Sequence, residues 1–356
     1  MEKRKEINEK FVQWILDKVK TEYAEDISLV LIYGSYINGT ANSKSDVDCY
    51  YIPKTERGYG LSLDVIIEGV GYDIFPITWD RVERIADLQE SLSPLVGDVM
   101  VLYSGSTDDT KRLKDMQERL KSNLQNDAYV KTIAAGRCEE AGRICAVLRQ
   151  KNEKEVQVWK AAGMAIMKLA EAVAVYHHDY FHFGLKRQLE ELQSLPDVPP
   201  NIINGYRNVV WAKGAEEASQ CAVKMFEDVC GYLNAAVSLQ ERPREECAVS
   251  DKIDAAWLAG LYEEICSTFN KVYVCCENGN EILAFLSAVC LQGELDAAGE
   301  GGCPAYDLLS GFDCRKLCRL SEKTRSIEEE FVHLITENGG QIKRFDSFEA
   351  FAAAKL

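Results

Sequence analysis

The stretch from Ser28 to Pro53 constrains the fold more than any other. A β-rich run, Ser28-Leu-Val-Leu-Ile-Tyr33, stops at Gly34-Ser35; ten residues later Asp46-Val47-Asp48 opens a second β-rich run, Val47 to Ile52, ended by Pro53. The pattern reads as strand, tight turn, short helical turn, loop and strand. Residues i and i+2 of a strand point to the same face, with Cα atoms about 6.6–7 Å apart. Asp46 and Asp48 so placed share one divalent cation or hold a pair of ions about 3.5–4 Å apart. Mg²⁺ suits this arrangement because it takes few protein carboxylates and completes its shell with substrate phosphate. Glycine at 34 lets backbone approach a ligand closely, and amides at the start of the following helical turn favour phosphate oxygens. Gly34, Ser35 and Ser45 are therefore the candidate nucleotide contacts. Asp46 and Asp48 are the candidate metal ligands of a nucleoside triphosphate site.

Around this segment the chain divides by pattern. Ile7, Phe11, Ile15 and Val19 recur at helical spacing, so residues 6–22 form a helix. The runs Leu61–Ile67 and Val70–Ile77, separated by Glu68-Gly69, predict an antiparallel hairpin, and Thr78-Trp79-Asp80 opens a helix. From about residue 127 the periodicity is helical almost throughout, over 128–150, 154–182, 185–194 and 203–238. Glu241-Arg-Pro-Arg-Glu-Glu246 reads as a linker; 251–292 is again helical, Gly299–Pro304 is a glycine-rich loop and 305–356 is a weaker mixture. The expectation is an α+β chain: an N-terminal domain over 1–125 with a small mixed sheet, a helical bundle over 126–240, and a mainly helical C-terminal extension over 247–356.

Charge narrows the partners. Asp and Glu number 57 against 41 Lys and Arg, a formal charge of −16. Such a surface repels nucleic acid and anionic lipid, and favours a small cationic molecule. The 13 cysteines are scattered, many at apolar helical positions, and the charged start Met1-Glu-Lys-Arg-Lys-Glu6 is no targeting segment. No apolar run approaches the roughly 18 residues needed to span a bilayer. The expectation is a reduced, cytoplasmic protein without a membrane or nucleic-acid partner.

Gly34-Ser35 followed by Asp46-Val47-Asp48 resembles the signature of the nucleotidyltransferases related to DNA polymerase beta. The resemblance implies a third carboxylate on a neighbouring strand. Asp73, in Gly71-Tyr72-Asp73-Ile74-Phe75, fits it better than Asp64, because it directly precedes the Thr78-Trp79-Asp80 helix start. Within that superfamily, residues 1–235 are similar in order to the kanamycin (aminoglycoside) nucleotidyltransferases. Glu139-Glu140-Ala141-Gly142-Arg143 resembles the helix carrying their general base. Glu139 is the matching position, Glu140 the fallback, and Arg143 lies near the triphosphate. Ser91–Gly105 and Tyr176-His177-His178 match later parts of that group. The chain departs from it in having Asp-x-Asp where those enzymes have Asp-x-Glu, and in the residues beyond 245. The resemblance implies a Mg²⁺-dependent enzyme, with two ions, that moves a nucleoside monophosphate, AMP from ATP or the equivalent from another triphosphate. The acceptor would be a hydroxyl of a small, cationic molecule of aminoglycoside type, with antibiotic resistance as one biological setting and a homodimer as one assembly.

Other readings compete. The chain could be a regulatory, antitoxin-like nucleotide-binding module, which the long extension favours, or an adenylyltransferase that modifies protein. His178 and His182 at i, i+4 are better read as helix packing than as metal ligands, and Cys303, Cys314, Cys318 and His333 lack the paired spacing of a zinc site.

Overall fold

The computed structural model describes residues 2–149, 153–237 and 252–354. The sequence-predicted linker at 241–246 lies outside them. Helix α1 (Glu2–Glu22) buries one residue per turn, Ile7, Phe11, Ile15 and Val19. It is followed by β1 (Ile27–Tyr33), the four-residue α2 (Ser35–Asn38), β2 (Asp48–Pro53), β3 (Leu63–Ile67), β4 (Val70–Pro76), α3 (Trp79–Ala86), α4 (Pro94–Gly97), β5 (Met100–Ser104) and α5 (Thr107–Gln125). The helical region comprises α6 (Asp127–Leu148), α7 (Glu155–Tyr176), α8 (Gln188–Ser194), α9 (Pro200–Val210), α10 (Ala215–Leu233), α11 (Ala255–Glu277), α12 (Glu281–Ala297) and α13 (Leu317–Glu337). A short β6 (Arg344–Phe345) and α14 (Phe348–Ala353) close the described chain.

The sheet is mixed, in the order β5-β1-β2-β4-β3-β6. β1 pairs antiparallel with β2 and β5, β4 is parallel to β2 and antiparallel to β3, and β6 joins β3 in parallel. Both faces of β1 and β2 are covered, which is why their sequences are continuously apolar. Val30, Ile32, Cys49 and Tyr51 pack beneath α1, whereas Leu29, Leu31, Tyr50 and Ile52 pack against α3, α4 and α5. The β3–β4 hairpin turns at Glu68 and Gly69, with φ of 49° and 72°, the two positive values a type I′ turn requires.

The expected long helices are subdivided. The predicted 203–238 segment breaks between α9 and α10, and 251–292 breaks at Gly279, whose φ of 65° ends α11 while the Asn280 side chain caps α12. α7 stops at Tyr176 because His178 turns to φ 64°. Against expectation, the segment Glu281–Gly301 is long and apolar enough to span a bilayer by composition, but more than half of its apolar window is buried among the other helices.

One apolar core runs from α6 through α13, so the middle helices and the C-terminal helices share it. α11 lies across the hairpin: a Cβ on Gly71 of β4 would sit 3.1 Å from the Glu263 carbonyl. Beyond α13 the chain returns to the first sheet through β6. Phe351 of α14 is inserted against Trp14 and Phe11, at ring separations of 4.8 and 5.9 Å. The extension is thus bound to the N-terminal unit at three places: α11 on the hairpin, β6 on β3 and α14 on α1.

Candidate active site

The Gly34-Ser35 turn meets Asp48 at the first residue of β2, whereas Asp46, expected on the same strand, lies in the loop just before it. Gly34 has φ 71° and ψ −151°, a region open almost only to glycine. A Cβ there would stand 2.1 Å from Asp48 Oδ2. The Ser35 backbone amide hydrogen-bonds the Asp48 carboxylate and pulls its pKa down, against a larger upward push from burial. This amide, expected to face phosphate, is committed to Asp48, and the four-residue α2 is too short to add a helix dipole.

α1 fixes the loop that carries Asp46. Asn8 is buried, and its Nδ2 donates to the Ser45 and Asp46 carbonyls at 3.2 and 3.3 Å, while its Oδ1 accepts from the Tyr72 hydroxyl at 2.5 Å. Ser45 Oγ in turn accepts from the Asn42 amide. Asp73 reaches the site from the next strand. In the parallel β2–β4 register Cys49 faces Ile74, so Asp48 and Asp73 stand side by side one step earlier. Asp64 is the cross-strand partner of Asp73 and leans toward the α11 side, where Glu264, Lys343 and Glu263 act on it.

Burial raises the pKa of all three aspartates, and for Asp46 and Asp73 the neighbouring carboxylates add to the shift. Asp46 is pushed up to about 7, while Asp73 lies well above the usual carboxylate range. Two lysines oppose this repulsion. Lys186, two residues before α8, also lies near the Thr40 carbonyl, with Nζ at 3.5 Å. Lys271 of α11 extends into water in the open part of the cleft, yet enough protein surrounds it for desolvation to work against its charge. Asp46 and Asp48 outweigh that cost and raise its pKa. Burial lowers the pKa of Lys186 despite Asp48.

A cleft of 1350 Å³ opens beside these groups, bounded by the β1–β2 connection, α6, α7, the segment after α7, α11 and α12; Asp73 does not line it. Asp46, Asp48, Ser35, Ser45, Lys186 and Lys271 all line it. On α6 the sequence-predicted residues divide. Glu139 and Arg143 are exposed and do not line the cleft, whereas Glu140 does. Glu140 sits 3.3 Å from Arg137 and 3.6 Å from Lys168, which also pairs with Glu171 at 3.0 Å. Three histidines make hydrogen bonds to protein groups: His177 meets the Tyr232 hydroxyl, His178 the Leu124 carbonyl, and His182, which lines the cleft, bridges Asp98 and Asp179.

Among the described residues no three His, Cys, Asp or Glu side chains are already gathered in metal-holding geometry. The donor chemistry still fits Mg²⁺, which is bound through one or two carboxylates plus substrate phosphates rather than by a closed protein cage. Mutually repelling buried carboxylates are also what a divalent cation relieves. Lys186, Lys271 and Glu294, which also lines the cleft, lie outside the signature. Only the apolar flanks of Lys271, Phe269 and Val272, distinguish it in sequence from a surface lysine.

No known family model matches the chain, and no curated protein does. Among solved structures, a nucleotidyltransferase-like protein from Exiguobacterium sibiricum is similar at 11% identity, with a TM-score of 0.38 over 76% of this chain and 92% of that one.

Proposed function

We propose that this chain is a Mg²⁺-dependent nucleotidyltransferase that moves a nucleoside monophosphate, AMP from ATP in the first instance, to a hydroxyl of a small acceptor and releases pyrophosphate. The observation that carries the reading is the meeting of Asp46 and Asp48 with Lys186 and Lys271 at one cleft, with Asp73 buried behind them and within electrostatic reach of both aspartates. Asp46 and Asp48 would hold Mg²⁺, with Asp73 beside them. When bound, the cation would offset negative charge on the triphosphate. Lys186 and Lys271 supply charge to the triphosphate, the part first assigned to Arg143. Glu140, rather than the exposed Glu139, is placed to take the acceptor proton, and Lys168 and Arg137 orient it. The acceptor oxygen bonds to the α-phosphorus as the α–β bridge breaks.

Glu90, Glu140, Glu171 and Glu190 line the cleft, which suits a cationic acceptor such as an aminoglycoside. The enclosing α11 and α12 favour a small molecule over a polymer. The test is to incubate α-labelled ATP and Mg²⁺ with a panel of aminoglycosides and other hydroxyl compounds. Label on one small acceptor supports the reading. Label on polypeptide, or tight nucleotide binding without pyrophosphate release, contradicts it.

A further inference from the structure

The wall built by α11 and α12 carries a carboxyl with no part in the steps above. Glu294 lines the cleft, and its Oε1 accepts from the Thr268 hydroxyl at 3.2 Å. Its Oε2 is buried and meets no hydrogen-bond donor among the described residues. A buried acceptor left unmet is costly, and native proteins keep few of them. Lys271 acts on Glu294 as well as on Asp46 and Asp48, and all four residues line the same cleft. Burial pushes the Glu294 carboxyl up to about 7, with Thr268 and Lys271 pulling it down.

We propose that Glu294 is a specificity residue of the cleft, its carboxyl turning the unpartnered Oε2 out of its buried position to accept a hydrogen bond from an amino or hydroxyl group of the bound small molecule. The donor is either the exocyclic amino group of the nucleobase or a hydroxyl or amine of the acceptor. Only the identity of these two molecules rests on the nucleotidyl-transfer reading; the unpartnered oxygen does not. A purely structural role would instead have Glu294 serve as the anchor that Thr268 holds between α11 and α12.

The test uses the full chain and the variants Glu294→Leu and Glu294→Gln. Each is titrated calorimetrically with ATP, GTP, CTP and UTP in Mg²⁺, and its melting temperature is measured without ligand. The expected result is an unliganded Tm for Glu294→Leu at or above wild type, with binding weakened about tenfold or more, and partial recovery in Glu294→Gln, which keeps an acceptor oxygen. Loss confined to amino-bearing nucleotides assigns the donor to the base. Unchanged nucleotide affinities with a tenfold higher KM for the acceptor, at unaltered kcat, assign it to the acceptor. A lowered Tm with every affinity and KM unchanged overturns the proposal. If wild type binds none of the four nucleotides, the nucleotidyl reading fails by itself. The Tm of Glu294→Leu then decides: a fall overturns the ligand-directed role, and a rise upholds it.

Discussion

At the scale of single residues, Gly34 and Asp48 act as one unit. Any side chain at 34 meets a carboxylate 2.1 Å away and a backbone region that costs of order 1–3 kcal/mol for other residues. Gly34→Ala is therefore expected to lower the melting temperature, and to reduce turnover further than that loss explains, because Asp48 must move. Activity and Tm measured together check this. His182 offers a pH test. Hydrogen bonds to Asp179 and Asp98 raise its pKa from 6.5 to about 10. A histidine raised on folding stabilises fully below the unfolded value and loses that contribution as pH rises through the folded one. His182→Gln should thus cost most Tm near pH 6 and least above pH 10, with the cost declining between. The closeness of Asp46, Asp48 and Asp73 was legible in the sequence because Asp48 opens β2, Asp46 immediately precedes it and Asp73 stands on β4 between apolar neighbours. Lys186 and Lys271 were not, since a lysine's meaning depends on what lies opposite it in space.

At the scale of elements, α6 shows where sequence stops short. Successive helical residues differ by about 100° around the axis, so Glu139 and Glu140 face different surroundings although a one-residue shift in matching exchanges them. The structure turns Glu140 to the cleft and Glu139 to solvent. Glu140→Gln should lower kcat by about 10²–10⁴-fold, whereas Glu139→Gln should leave it within twofold, as steady-state kinetics on both variants would show. The hairpin, by contrast, was readable, because Glu68-Gly69 sits between two alternating runs and its turn chemistry is local. The breaks at 211–214 and at Gly279 were hidden because apolar periodicity continues on both sides of them.

At the scale of the molecule, the C-terminal extension is part of the cleft as well as part of the core. It supplies Lys271 from α11 and reaches back through β6 and α14 to pack Phe351 against α1. No motif in the sequence announced this return, since it depends on contacts between segments more than 300 residues apart, such as Phe11 with Phe351. Phe351→Ala is expected to cost about 3–5 kcal/mol, read as a lower denaturation midpoint. Lys271→Met should weaken triphosphate binding by about ten- to a hundredfold with little change in Tm, measured by calorimetry. The most direct test of the central claim compares wild type with Asp48→Ala in acceptor-dependent pyrophosphate release from ATP and Mg²⁺. The account predicts a loss of roughly a thousandfold or more in a variant that remains folded. Release at the wild-type rate would contradict it.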